Sequence, residues 1–163
     1  MADISTMQRH PSFPDLIRVI VEQPPGVQYR LDYHREDDTF RPTTALSLFY
    51  DRGFSGAYGW IGGLGTPPDP HLDVILVTRT AVRSGNVVAA YPVGVFFRND
   101  QDHKVVALDA ALWTRSEAPD LADLDEADQH ELRALYPRID PGEGWHGAAE
   151  ARRLCQRWSD ALG

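Results

Sequence analysis

Cysteine is nearly absent from this chain. Cys155 is the only one in 163 residues, which excludes an internal disulfide and any cysteine-based zinc site. Long apolar runs are missing as well: the longest, around Val74 to Val77, is strand-sized and far short of the roughly 20 residues a membrane helix needs. Cationic residues are in deficit, with 16 Lys and Arg against 24 Asp and Glu and a net charge of -8 at pH 7. Nucleic acid and anionic membranes would both repel such a surface, so neither is an expected partner. The first fourteen residues are polar, carry His10 and two prolines, and lack the basic-then-apolar layout of a secretory signal. A reduced, cytoplasmic protein is the expectation. The six histidines offer no metal-ligand spacing, and the glycines lack the Lys and Ser or Thr that complete a phosphate-binding loop.

What is present fits one domain over residues 1–163. The 42% hydrophobic and 25% charged fractions are ordinary for a globular chain, and this length buries about two thirds of the unfolded surface. Leu16 to Glu22 alternates apolar and polar residues and stops at Pro24-Pro25-Gly26, the pattern of a strand and a turn. Val27 to Tyr33 and Thr44 to Tyr50 read as further strands, with Arg35 to Asp38 as a hairpin connection. Residues 53–65 hold six glycines among Phe54, Tyr58 and Trp60, which composition assigns to a surface loop pinned by its aromatics. Asp73 to Thr80 is nearly continuously apolar after its Asp, as in a strand buried on both faces. Val87 to Phe97 and Lys104 to Leu108 follow, separated by the polar tip Asn99 to His103. From Leu121 the period changes. Leu121, Leu124, Leu132, Leu135 and Tyr136 fall on one side of an acidic helix, and Ala151, Leu154, Cys155, Trp158 and Leu162 define a second. Strands first and helices last on one core means α+β, with a small antiparallel barrel or sheet and flanking C-terminal helices.

Acidic residues gather at the predicted strand ends: Glu22, Asp69, Asp73, Asp100 and Asp102, with Lys104 close behind. Asp100 and Asp102, two apart, can share a face, and converging carboxylates suit magnesium. Asn-Asp-Gln-Asp is equally the composition of a solvated hairpin tip. Asp73, placed directly before Val-Ile-Leu-Val, requires a partner, a metal or a proton at the mouth of a buried strand. His71 and His103 lie nearest this acidic group as acid or base candidates.

Taken in order, several segments resemble the soluble inorganic pyrophosphatase family from about residue 16 onward. Val19-Ile20-Val21-Glu22-Gln23-Pro24 is similar to that family's opening strand, and Gln28-Tyr29-Arg30-Leu31-Asp32 to its Lys-Tyr-Glu-x-Asp segment. Phe54 to Ile61 is similar to Tyr-Pro-x-Asn-Tyr-Gly-Tyr-Ile, Leu72 to Val77 to the end of its acidic signature, and Tyr91 to Val95 to Arg-Pro-Val-Gly-Val. Asp100, Asp102 and Lys104 fall where the family has Asp, Asp and Lys, and Gly144-Trp145 leads into a similar final helix. The resemblance implies a small twisted OB-like barrel, a small-molecule substrate and a homo-oligomer. It further implies a site in which Glu22, Tyr58, Asp73, Asp100 and Lys104 do the chemistry and Asp69, Asp73, Asp100 and Asp102 hold Mg2+.

The departures from that family are specific. Its first phosphate-side Lys is Gln28, its nearby Glu is Arg30, and its Arg before the glycine-rich stretch is Leu46, with Arg41 or Arg52 as shifted stand-ins. Pro68 and Pro70 stand where an ungapped match needs two carboxylates, with Asp69 one residue out of register. The late Tyr-Lys pair reads Tyr136-Pro137, with Arg138 nearby. Each lost charged contact is worth roughly 1.5–3 kcal/mol, so the set costs on the order of 6 kcal/mol, a factor of about 10⁴ in rate. The expectation is a pocket that has traded charge for apolar surface, with Phe54, Trp60, Tyr91, Tyr136 and Arg138 contacting a small organic substrate in acid/base chemistry. A weak Mg2+-dependent hydrolase of pyrophosphate or phosphate esters, and a non-catalytic binding subunit, are the competing readings.

Overall fold

A computed structural model describes residues 3–163. Eight strands and three helices follow in the order β1 (Ile17–Gln23), β2 (Tyr29–His34), β3 (Thr39–Leu46), α1 (Leu48–Asp51), β4 (Ala57–Ile61), β5 (Asp73–Val77), β6 (Val87–Phe97), β7 (Lys104–Asp109), α2 (Glu126–Leu135), β8 (Gly144–Gly147) and α3 (Ala148–Leu162). Strands β1, β4, β5, β7 and β6 are neighbours in that order, and β1 also pairs with β6, so five strands close into a barrel. Closure removes the free edges that an open sheet would expose. The small α+β barrel expected from the sequence is therefore the architecture, with one pairing that differs: β5 and β7 run parallel, Asp73 opposite Lys104.

The barrel wall is apolar on both sides. Val74 and Leu76 join one core cluster with Val105, Ala107 and, from α3, Ala151, Leu154 and Cys155. Ile75 and Val77, pointing the other way, join a second cluster with Val106, Leu108 and, from α2, Leu132 and Leu135. This is why Val74 to Val77 reads as an unbroken apolar run: a helix covers each face. Arg79 secures α2 through two hydrogen bonds, 2.7 and 2.8 Å, to the buried Asp128 carboxylate.

Three local expectations are corrected. Thr44 to Tyr50 is not a strand: β3 ends at Leu46, and Ser47, whose hydroxyl accepts from the Tyr50 N–H, starts α1. The glycine-rich stretch is not simply a surface loop, because Ala57–Ile61 is a fully buried barrel strand. Strand β8, four residues pairing with β6, has no counterpart in the expected element set.

The hairpin β2–β3 forms a separate two-stranded sheet attached to the barrel at its site end. The buried Gln23 amide donates to the Leu31 carbonyl and accepts from the Leu31 N–H, both at 2.8 Å, acting as a side-chain rung. Tyr33 and Phe40 pack on Trp60 with ring centroids 5.3 and 6.2 Å away, and Arg35 pairs with Asp69 at 2.6 Å.

Candidate active site

Strands β5 and β7 both begin where the barrel opens, and their first residues, Asp73 and Lys104, are register partners. Tyr58 on β4 partners Ile75, two residues further along, so its side chain leans over the same mouth. The bulge in β1, where Val21 opposes Gly59 and Gln23 opposes Tyr58, frees Glu22 from the ladder beside them. The two-residue alternation leading into β7 also delivers Asp102. The Lys104 Nζ, 7% exposed, donates to the Tyr58 hydroxyl (2.8 Å), to Asp73 Oδ2 (2.6 Å) and to both Asp102 oxygens (3.0 Å). His71 Nε2 lies 2.9 Å from Asp73 Oδ1.

Burial alone would raise the Asp73 carboxyl, but the hydrogen bond from His71 and the charge of Lys104 outweigh it and hold Asp73 well below the usual carboxylate range. Burial works against charge on His71, yet its bond to Asp73 leaves the imidazole pKa raised. Burial, reinforced by the Asp73 charge, keeps the Tyr58 phenol well above its ordinary value, and burial pushes Tyr136 up to about 12. Glu22 is the exception among the carboxyls. Desolvation, with Asp73 adding repulsion, raises it to about 7.

That value has a consequence for stability. Between pH 4.5 and 7 the folded protein holds a proton on Glu22 that the unfolded chain has released, so this carboxyl makes stability fall as pH rises through the window. The upper bound is about 3 kcal/mol. Glu22→Gln should remove the term: measured by urea unfolding, the variant gains on wild type from pH 4.5 to 7.5. Parallel pH profiles for the two proteins would contradict this.

These side chains line a cleft of about 1150 Å3 together with Arg30, Arg52, Arg98, Tyr136 and Arg138. Of the residues nominated from the sequence, Glu22, Tyr58, Asp73, Asp102, Lys104, Tyr136 and Arg138 meet here. Phe54, Trp60, Tyr91, Asp69 and Asp100 do not line it. Phe54 is buried against Phe49 (6.0 Å), Tyr91 packs on the α2-side core, and Trp60, 1% exposed, supports the hairpin aromatics. Asp69 is turned to Arg35, the slip its register implied. Asp100 is exposed and faces Arg98 at 3.4 Å. His103 is not a cleft group either; its Nδ1 accepts from the Arg98 N–H at 2.9 Å.

Two expectations about chemistry change accordingly. Three of the aromatics expected to make the pocket apolar lie outside it, and Arg52 and Arg138, named as stand-ins for lost cations, line it together with Arg30 and Arg98. Arg98 lies over the Tyr136 ring (5.7 Å) and pairs with Asp102 at 3.5 Å, while Arg138 pairs with Asp140 at 3.0 Å. Arg52 donates to the Leu135 carbonyl. Arg41, the other proposed stand-in, is held by Asp37 away from the cleft. Among the described residues, neither Arg30 nor Arg52 has a carboxylate partner. Arg98 was the least expected member, although its place two and four residues before Asp100 and Asp102 is the alternation that would have disclosed it.

The donor set does not fit a multi-magnesium cage. Asp73 is taken up by Lys104 and His71, Asp102 by Lys104 and Arg98, and no group of three or more His, Cys, Asp or Glu among the described residues is placed to hold an ion. No described helix is long and apolar enough to cross a membrane.

Comparisons with known proteins converge. Over its length the chain is 28% identical to an inorganic pyrophosphatase of Sulfolobus acidocaldarius (88% of this chain, 89% of that protein). It is likewise 28% identical to one of Gluconobacter oxydans (93% and 94%). The fold is similar to that of the inorganic pyrophosphatase from Ehrlichia chaffeensis, with a TM-score of 0.70 over 92% of this chain and 97% of that one at 21% identity. A model of the family described as inorganic pyrophosphatase matches residues 19–161. A match over that span makes this chain a member of the inorganic pyrophosphatase family.

Proposed function

We propose that the cleft hydrolyses a phosphoanhydride or phosphate-ester bond in a small phosphorylated molecule, with guanidinium groups neutralising the phosphate. The observation that carries this reading is the presence of Arg30 and Arg52 in the cleft without carboxylate partners among the described residues, beside Lys104. Guanidinium matches phosphate with two parallel N–H donors. Three carboxylates of the cleft are matched already, Asp73 and Asp102 by Lys104 and Arg98 and Asp140 by Arg138, while Glu22 and Asp32 also line it. The family membership supports phosphoryl chemistry; the apolar lining first expected from Phe54, Trp60 and Tyr91 no longer argues for an uncharged substrate.

In this reading water attacks phosphorus as the bond from phosphorus to the leaving oxygen breaks. Glu22, poised near neutrality, takes the water proton and returns it to the leaving oxygen, which regenerates the carboxylate. Arg30 and Arg52, without carboxylate partners among the described residues, offset the charge that builds on the phosphoryl oxygens. Tyr58 and Asp73 hold Lys104 in place.

The test is phosphate release from pyrophosphate and from p-nitrophenyl phosphate, with and without magnesium. Arg30→Ala, at an exposed position, should lower kcat/KM roughly ten- to hundredfold, the worth of one charged contact. No release from either probe under any condition, or an Arg30→Ala variant as active as wild type, defeats the proposal.

A further inference from the structure

We infer that this cleft takes an organic diphosphate, an alkyl or aryl group resting on Leu46 and Leu48 while its phosphates meet the arginines; the inference rests on the phosphate-binding reading above. Leu46 is 49% and Leu48 36% exposed, and both line the cleft. Tyr29, 46% exposed, is the register partner of Leu46. Apolar side chains scattered singly need no explanation, whereas two exposed leucines on the wall of a concave site, with Tyr29 beside one of them, mark a surface that a ligand can cover.

The rim is built, not loose. Between Leu46 and Leu48, the buried Ser47 donates its N–H to the Gln28 carbonyl at 2.8 Å and caps α1 with its hydroxyl. The two leucines therefore sit on either side of a fixed corner. From there the apolar wall continues inward. Phe49 also lines the cleft and stacks on Tyr58 with ring centroids 4.5 Å apart, and the Tyr58 hydroxyl accepts from Lys104. Apolar rim and cationic end are thus joined through one stacked pair. On the hairpin the same adjacency recurs, since Arg30 directly follows Tyr29. A ligand matching both halves carries phosphate at one end and hydrocarbon at the other. The cleft, about 1150 Å3, has room for more than pyrophosphate, which has no apolar atom to place on a leucine.

Titration calorimetry with inorganic pyrophosphate, methyl diphosphate and benzyl diphosphate tests this. Benzyl diphosphate should bind wild type at least about tenfold more tightly than methyl diphosphate, the gain from resting a ring on aliphatic surface. Leu46→Arg should cut that ratio below about threefold while pyrophosphate binds as well or better; the exposed position tolerates the change. If pyrophosphate binds and the two organic diphosphates bind alike, the apolar subsite is wrong and the phosphate-binding reading stands. If none of the three binds, the underlying reading falls and the subsite with it. If Leu46→Arg shifts the sedimentation mass and leaves the ratio untouched, the rim is covered by a second copy of this chain and the inference is overturned.

Discussion

Lys104→Met should lower the unfolding free energy by about 3–5 kcal/mol, the usual loss when one partner of a buried ion pair is removed. The methionine fits the stem but cannot satisfy what the ammonium satisfied. Asp73, largely buried, loses its 2.6 Å partner, and the Tyr58 hydroxyl loses its donor. Each becomes a buried polar group without its bond. The effect depends on pH. The depressed Asp73 carboxyl stabilises wild type above its ordinary value of 3.8, and that contribution begins to decline there and is lost as pH falls through its lowered folded value. The gap between variant and wild type should therefore narrow toward pH 3. Urea midpoints across this range give the answer, and the double change Asp73→Asn with Lys104→Met should recover part of the loss because the two residues share one interaction. A Lys104→Met penalty under about 1 kcal/mol would mean that the charge cluster is not the anchor proposed here.

Gly59→Ala should be the most damaging single methyl in the molecule, costing about 4 kcal/mol or more. A β-carbon at this position would lie 1.8 Å from the Ile20 carbonyl oxygen and 2.8 Å from its carbon. Strand β4 is bonded on one side to β1 and on the other to β5, with Gly59 facing Val21 and Val74. The strand cannot retreat from one neighbour without breaking the other ladder. Since a domain's whole stability is about 5–15 kcal/mol, the variant should be recovered in poor soluble yield with a sharply lowered midpoint. Gly26→Ala is the comparison: its added carbon meets nothing within 4 Å but its φ is +77°, so backbone strain of about 1–2 kcal/mol is all that should be lost. Equal midpoints for the two variants would defeat the argument from close backbone approach.

The glycine at 59 also explains which parts of the fold were readable. Alternation and apolar runs located β1, β5, β6 and β7, because those strands bury ordinary aliphatic side chains. Strand β4 was hidden by the glycines that let it pack so tightly, since composition alone assigns such a stretch to a loop. The run Leu48-Phe49-Tyr50 imitates a strand, and the Ser47 cap that turns it into helix depends on a local side-chain bond. In the site, Asp73, Lys104 and Glu22 were legible because each stands at the end or bulge of a recognisable strand, and Tyr58 only through the family resemblance. The arginines were not. Arg52 was named only as a shifted stand-in, the alternation of Arg98 with Asp100 and Asp102 was not used, and Arg30 reaches the cleft because the β2–β3 hairpin docks on the barrel, which no local pattern carries.

The side-chain rung of Gln23 has a further bearing. It ties β2–β3 to the barrel through a glutamine amide in place of a continuous backbone ladder, aided by an aromatic trio and the Arg35–Asp69 pair. The segment that presents Arg30 and Leu46 is thus grafted on, and the barrel's own hydrogen-bond circuit runs without it. Substitutions or length changes between residues 29 and 46 can rewrite which ligand the mouth accepts while leaving the closed strands, and the Asp73–Lys104 pair they carry, untouched. Part of the ligand preference is thus inherited on a stretch that the closed barrel does not need for its own ladder.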